Sequence, residues 1–454
     1  MNKVIFREYD IRGRYPDDLD DNSAYTIGRS YGSYIREKYN IDTCVVGHDN
    51  RISSDSLTKN LIKGIKDSGS NVMYYGLITT PMHYFSRKIN KFPGIMVTAS
   101  HNPKDDNGFK FSFDYDVNAR GDMIRDFKDY TLKGEFLSGH GEEVLMDVKN
   151  EYLAFMKKNI FMGERKIKVV FDPGNGTTAI IIKNIIELFD NIIPIYINDI
   201  SDGTFPNHHP DPAVEENMEQ LKKAVKENKA DVGIAFDGDG DRIGIIDEKG
   251  NYIPTDKFMI IIIRSLIKTS ECKKYLYDVK CSKALEDEIN KLGGEPFCYR
   301  TGASFTEYGV LSNNLEFGGE FSGHVFFNDR GLEFGSAIYA ALRLIEILSN
   351  CNLSVSDTLK GINIYQATPE IKIPIEENKK EIIVSQVKKY CLENNYKIID
   401  IDGVRVTFDN GWALVRASNT GPNLTIRFEA KDNNTLNKIQ KEFTDLINTI
   451  INTN

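Results

Sequence analysis

The run Asp231-Val-Gly-Ile-Ala-Phe236 passes directly into Asp237-Gly-Asp-Gly-Asp-Arg242. The first half is short, apolar and bounded by polar residues, the pattern of a strand buried on both faces. The second half sets three carboxylates two residues apart with glycines between them. Glycine reaches positive φ without strain, so the loop can turn tightly enough for the three acids to converge. Converging carboxylates repel one another unless a cation sits among them, and their hard oxygens suit a divalent ion. An EF-hand loop is the competing reading, with Glu248 at its twelfth position. Arg242 falls at the sixth position, where that loop requires glycine, and Ile243-Gly-Ile-Ile-Asp-Glu-Lys-Gly250 reads as a strand and turn rather than a helix. The stretch therefore predicts a strand, a metal-binding turn and a second strand.

Outward from it the same rhythm repeats. Val45-Val-Gly-His-Asp49, Asn71-Val-Met-Tyr-Tyr75 and Gly94-Ile-Met-Val-Thr98 come before it, as do Lys168-Val-Val-Phe-Asp172 and Ile192-Ile-Pro-Ile-Tyr-Ile197. Lys274-Tyr-Leu-Tyr-Asp278 and Glu295-Pro-Phe-Cys-Tyr299 come after. Stretches with helical spacing, such as 53–68, lie between. Apolar strands alternating with helices imply buried, mostly parallel sheets. The end of the chain differs: a strand at 370–375, a polar helix at 379–394, several strands in a row over 397–428 and a closing helix at 435–451. Strands grouped together suggest an α+β unit. The reading is three consecutive mixed α/β domains of similar topology, 1–151, 152–251 and 252–366, followed by a smaller α+β C-terminal domain, 367–454.

With 454 residues, 41% hydrophobic and 27% charged, the composition is that of a globular protein and excludes a disulfide-stapled mini-protein or a disordered chain. A net charge of −9 argues against a general nucleic-acid or anionic-membrane binder, but not against an anionic small substrate, which needs only local cations. The six cysteines form no CxxC pair, as expected of reduced intracellular thiols. The opening Met1-Asn-Lys-Val-Ile-Phe-Arg-Glu8 carries charges where a signal peptide needs an apolar run. The greasiest stretch, Phe258-Met-Ile-Ile-Ile-Ile263, stops at Arg264, too short for a bilayer. These features place the protein in the cytoplasm, with no nucleic-acid or membrane partner.

Three further segments carry chemistry. Thr98-Ala-Ser-His-Asn-Pro103 ends a strand, and Asn107-Gly-Phe-Lys110 follows closely, so His101, Asn102 and Lys110 crowd around the Ser100 hydroxyl at a sheet edge. The segment lacks the Gly-x-Ser-x-Gly elbow of acyl transfer. In Gly318-Gly-Glu-Phe-Ser-Gly-His324, Glu320 and Ser322 are spaced to point the same way and bridge sugar hydroxyls, and His324 can pair with an anion or move a proton. In Arg416-Ala-Ser-Asn-Thr-Gly-Pro-Asn423, a guanidinium fork matched to phosphate stands beside the neutral donors Ser418, Asn419 and Thr420. Arg12, Lys280 and Arg427 are cations near these segments.

In chain order, Phe6-Arg-Glu-Tyr-Asp-Ile-Arg-Gly13, Thr98–Pro103, Asp237–Arg242, Gly319-Glu-Phe-Ser-Gly-His324 and Arg416-Ala-Ser-Asn-Thr420 together resemble the α-D-phosphohexomutase superfamily over essentially the whole chain. The Gly-Glu-x-Ser-Gly-His form is most similar to its phosphomannomutase/phosphoglucomutase branch. The resemblance implies four domains around a central cleft and a role for each motif. Ser100 would be the phosphoserine that gives and recovers a phosphoryl group. Asp237, Asp239 and Asp241 would hold Mg²⁺, with Ser100 as a further ligand and Arg242 at the same site. Glu320 and Ser322 would read sugar hydroxyls. Arg416, Ser418, Asn419 and Thr420 would grip the phosphate that is not reacting. Tyr9, Arg12, Lys110, Lys280, Gly302, His324 and Arg427 would line the cleft, with Lys110 and His324, then His101 and Arg12, as candidate proton carriers. The turn Thr301-Gly-Ala-Ser304 departs from the branch, many members of which carry His where Ala303 stands.

The activity implied is interconversion of hexose 1-phosphate and hexose 6-phosphate, of mannose or glucose. It runs through a hexose 1,6-bisphosphate, also the activator, that turns over in the cleft of a monomer or small homo-oligomer. Three alternatives stay open. One is a phosphoglucosamine mutase with the same mechanism. Another is a haloacid-dehalogenase-like phosphatase with Asp237 or Asp239 as nucleophile, which would leave Ser100 without a role. The last is a catalytically dead phosphosugar binder, against which the intact Ser100 and three acids argue.

Overall fold

Four sheets follow one another along the chain in the computed structural model, which describes residues 2–418 and 421–453. The first has six strands in the order Asp10–Arg14, Asp106–Phe111, Gly94–Val97, Thr43–His48, Asn71–Leu77 and Glu143–Leu145. The last four run parallel; the first two are antiparallel to their neighbours. The helix expected over 53–68 spans Ser54–Asp67 and buries Leu57, Leu61 and Ile65, one stripe at four-residue spacing.

The second sheet, in the order Tyr252–Ile253, Ile243–Asp247, Val232–Phe236, Ile167–Asp172 and Ile192–Tyr196, joins a parallel half to an antiparallel one. The turn at that junction is Asp237–Arg242, so the strand–turn–strand expectation holds. The third sheet, in the order Glu295–Tyr299, Lys274–Asp278, Phe317–Gly319 and Val325–Phe327, likewise ends in an antiparallel hairpin, and its turn is Glu320–His324. In both sheets the antiparallel strand follows a turn too short for a crossover helix, so the mostly parallel expectation gives way to mixed sheets.

The apolar run 258–263 forms the middle half of the helix Thr255–Leu266, packed against strands of both the second and third sheets. Phe258 through Ile263 are all buried, which explains a stretch that is greasy on every side. The boundary expected near 152 falls inside the helix Lys149–Asn159. Tyr152 and Met156 anchor that helix in a core that draws on strands of both the first and the second sheets.

The fourth unit is the expected α+β type. Lys397–Ile399, Val404–Phe408, Gly411–Ala417 and Asn423–Ala430 form an antiparallel meander, joined by Gln366–Ala367 and Ile371–Pro374 on the last strand. Helices Lys380–Glu393 and Asn433–Thr453 cover it through Val387, Cys391, Phe443 and Ile447. Trp412 and Leu414 face the other way, against Val279 after the third sheet. Among the described residues no helix is long and apolar enough to cross a membrane.

Candidate active site

Ser100 lies at the end of the strand Gly94–Val97 with φ of 52°, a left-handed conformation that a non-glycine residue holds only when its surroundings enforce it. Here the enforcement comes from Arg51. Its guanidinium donates to the carbonyls of Ser100 and Asn102, each at 2.7 Å, and to those of Pro103 and Asp106 at 2.5 and 3.0 Å. Asp49 Oδ2 in turn lies 3.2 Å from Arg51 Nε and accepts from the Thr98 hydroxyl at 2.7 Å, while Thr98 Oγ1 accepts from the Ser100 amide at 2.9 Å.

The loop presents the Ser100 hydroxyl to the second sheet's turn. Ser100 Oγ donates to Asp237 Oδ2 at 2.7 Å. The other oxygen, Asp237 Oδ1, accepts from the amides of Gly240, Asp241 and Arg242, each at 3.0 Å, and so folds its own turn. Gly238 is required by this approach, because a Cβ there would stand 2.5 Å from the Ser100 carbonyl oxygen.

Asp237, Asp239 and Asp241 are all buried, and each offers an oxygen within 4.8 Å of the others. Burial and the two neighbouring carboxylates push the Asp237 carboxyl well above its usual range. Asp239 Oδ1 is buried without a hydrogen-bond partner among the described residues. A crowded, buried donor set with an unused oxygen fits a divalent cation, and the three acids form a group able to hold one. The opposing charge within the protein is Lys110, whose Nζ lies 2.7 Å from Asp239 Oδ2 and 2.5 Å from Asp241 Oδ2. Burial works against that charge, yet the two acids hold the ammonium's pKa well above its ordinary value.

His324 closes the site from the third sheet. The turns at Arg242 and His324 pair as a single antiparallel bridge, and Ile243 N–H donates to the Gly323 carbonyl at 3.1 Å. His324 Nε2 is 3.2 Å from Asp241 Oδ1 and Nδ1 is 2.8 Å from Glu320 Oε2. Burial alone would lower its pKa, but Asp241 and Glu320 hold it above the usual range. His101 Nδ1, 3.4 Å from Ser100 Oγ, is the opposite case: burial together with Arg242, Arg12 and His324 pushes it well below. Arg12 is fixed by Asp10 through Nε at 2.8 Å, while its Nη1 is buried without a hydrogen-bond partner among the described residues. Tyr9, whose phenol burial pushes up to about 12, packs toward Gly302.

Of the residues named from sequence, Tyr9, Arg12, Ser100, His101, Lys110, Arg242 and His324 line one pocket. Glu320 and Ser322 stand behind it through His324; Glu320 Oε1 accepts from the Gly302 amide, and Ser322 Oγ is 3.3 Å from His324 Nδ1. Lys280, Arg416 and Arg427 do not line this pocket but gather where the third and fourth sheets meet. Lys280 Nζ lies 2.9 Å from Glu370 Oε1, Arg416 is held by Asp402 at 3.1 and 3.2 Å, and Arg427 stacks 3.7 Å from the Phe321 ring centre. The Ser418 carbonyl accepts from Lys380 at 2.7 Å. Asn419 and Thr420 lie outside the described residues.

Sequence reading missed Asp49, Arg51, Thr80, Glu370 and Asp402. Thr80 Oγ1 donates to Asp239 Oδ2 at 2.6 Å. Asp49 and Arg51 had a usable signal: charged residues just after a largely buried strand, at a sheet's C-terminal edge.

Four family models match in chain order. They are the phosphoglucomutase/phosphomannomutase alpha/beta/alpha domains I (residues 3–137), II (150–250) and III (254–365), and the C-terminal domain of the same family (370–446). A phosphomannomutase/phosphoglucomutase of Pseudomonas syringae pv. tomato is 38% identical over 442 residues, 97% of this chain and 94% of the relative. A phosphoglucomutase of Neisseria meningitidis serogroup A is 36% identical over 449 residues, 98% of this chain and 96% of the relative. A crystal structure of a phosphoglucomutase/phosphomannomutase family protein from Burkholderia thailandensis superposes with a TM-score of 0.91 at 32% identity, covering 99% of this chain and 98% of that one.

Proposed function

The chain belongs to the phosphoglucomutase/phosphomannomutase family of the α-D-phosphohexomutase superfamily, and from that premise we propose how its site works. The protein is a phosphohexomutase, interconverting hexose 1-phosphate and hexose 6-phosphate of mannose, glucose or both. Ser100 carries the phosphoryl group. In the first transfer the P–Oγ bond of phosphoserine breaks as a P–O bond forms to the free 1- or 6-hydroxyl of the bound sugar phosphate. That hydroxyl's proton passes to a base, and the Ser100 oxygen takes one up. The resulting hexose 1,6-bisphosphate turns end over end, and the second transfer reverses the first on the other phosphate. Hexose 1,6-bisphosphate added from outside would serve as activator by the same route.

The observation that carries this reading is the 2.7 Å contact between Ser100 Oγ and Asp237 Oδ2, made by two loops from different sheets and held by Arg51. Asp237, Asp239 and Asp241, with Ser100, would hold Mg²⁺, which would neutralise charge on the transferring phosphoryl group. Arg12 Nη1 and Arg242 supply further positive charge beside Ser100. Lys110 and His324 hold their protons and suit the acid that returns one to the departing Ser100 oxygen. The neutral His101 imidazole suits the acceptor. Glu320 and Ser322 read sugar hydroxyls, and Lys280, Arg416 and Arg427 with Ser418, Asn419 and Thr420 clamp the distal phosphate. In the phosphatase reading Asp237 would attack phosphorus, but one of its oxygens accepts three amides and the other the Ser100 hydroxyl. We place the enzyme in the cytoplasm, as a monomer or small homo-oligomer.

Coupled assays with mannose 1-phosphate, glucose 1-phosphate and glucosamine 1-phosphate, each with Mg²⁺ and a bisphosphate, test the reading. Turnover of at least one of the first two, lost in Ser100→Ala, is expected; an unchanged rate in Ser100→Ala would sink the covalent route.

A further inference from the structure

Lys280, Arg416 and Arg427, the cations assigned above to the distal phosphate, already have anionic company. Asp402 holds Arg416, and Asp278 Oδ2 lies 3.9 Å from Lys280 Nζ. Both acids are tied to the frame by backbone amides: Thr301 N–H donates to Asp402 Oδ2 at 2.9 Å and Phe321 N–H to Asp278 Oδ1 at 3.2 Å. Glu370 differs. Its carboxylate meets Lys280 Nζ at 2.9 Å, and no other cation comes within salt-bridge distance of it among the described residues. Burial opposes its charge, but Lys280, Arg427 and Arg416 together hold the carboxyl down to about 2. Glu370 sits in the short segment 368–370 between the strands Gln366–Ala367 and Ile371–Pro374, both of which pair with Asn423–Ala430 in the fourth sheet. That segment is laced to the strand bearing Arg427: Thr368 N–H donates to the Phe428 carbonyl at 3.0 Å, and Phe428 N–H donates to Thr368 Oγ1 at 3.1 Å.

Resting on the clamp reading above, we infer that the Glu370 carboxylate is a resident stand-in for phosphate, filling the clamp when it is empty and leaving Lys280 when a sugar phosphate arrives. A carboxylate and a phosphate dianion cannot both lie against one buried ammonium without strong repulsion. The apparent affinity for phosphate is then lowered by the fraction of clamps that Glu370 fills. Because Glu370 belongs to the fourth sheet and Lys280 follows a strand of the third, its departure releases a tie between the two sheets as ligand binds, so phosphate arrival and domain movement become one event. A residue serving only to hold the two domains together would behave oppositely, since its loss would loosen the clamp and weaken binding.

The test is calorimetric titration with glucose 1-phosphate and, separately, inorganic phosphate, in full-length Ser100→Ala protein so that no phosphoryl transfer intervenes. Glu370→Gln and Glu370→Ala are added to that background in turn, with Lys280→Met as the reference; two substitutions keep the answer independent of one misfolded variant. Both Glu370 variants are expected to bind both ligands on the order of tenfold more tightly, and Lys280→Met more weakly by a similar factor. If Lys280→Met weakens binding while the Glu370 variants match the parent or bind less well, the stand-in role is overturned and the clamp survives. If Lys280→Met leaves affinity unchanged, the clamp reading falls and takes the inference with it.

Discussion

At the serine end of the site the Lys110 ammonium lies among three buried acids; at the clamp the Glu370 carboxylate lies against Lys280, near Arg416 and Arg427. On the proposed reading each end takes an ion of the charge it now borrows from its own chain. The difference lies in how each borrowed group is mounted. Lys110 projects from the strand Asp106–Phe111, inside the first sheet and bonded on both sides, so only its side chain can move. Glu370 projects from a three-residue segment at the edge of the fourth sheet, between two short strands bonded on one side only, so its backbone is less tightly held. On the proposed reading the serine end is the fixed reaction centre and the clamp is where movement belongs, as one transfer from the serine and one back to it, with the sugar reoriented between them, require.

The largest effect expected is at the fixed end. Asp239→Asn removes a ligand of the acid cluster and the partner of both Lys110 and Thr80, and turnover should fall on the order of 10³-fold in the coupled assay. Next is Lys110→Met, which sharpens the comparison. Turnover should fall about 10²-fold, while Mn²⁺ affinity read by electron paramagnetic resonance should rise several-fold, because a competing cation has gone. Unchanged Mn²⁺ affinity would break the symmetry between the two ends. At the clamp, Arg416→Lys keeps the charge but loses the fork held by Asp402. KM should rise about tenfold with kcat little altered, since the lost contact is made equally before and during transfer.

The smallest effect concerns pH. The Glu370 carboxyl lies at about 2 in the folded protein, below its ordinary 4.5. Its stabilisation is present above the ordinary value and is lost as pH falls toward the folded one. Glu370→Gln should therefore melt about 2 °C below the parent at pH 7, and the gap should narrow between pH 5 and pH 3.

The legible parts of this molecule were those in which chemistry is dense within a few residues. Asp237–Arg242 and Thr98–Pro103 show their acids and hydroxyl at fixed short spacing after apolar strands, and the fold joins them through the Ser100–Asp237 contact, with Ser100, His101 and Arg242 lining one pocket beside Arg12, Lys110 and His324. The alternation of strand and helix gave the mixed α/β class for the same local reason. The hidden parts act across long separations. Thr80 reaches an acid 159 residues away, and Asn118 N–H donates to Glu307 across 189. Arg51, Asp402 and Glu370 look like ordinary surface charges until the fold sets them against a loop or another charge.

The central claim is that one serine hydroxyl carries the phosphoryl group between the two ends of the sugar. Incubation of the full-length protein with glucose 1,6-bisphosphate labelled in its phosphates, followed by peptide mapping, tests it most directly. Acid-stable label on the peptide containing Ser100, absent from Ser100→Ala, is the expected result. Label on the peptide containing Asp237 and Asp239, or label that persists in Ser100→Ala, would contradict it.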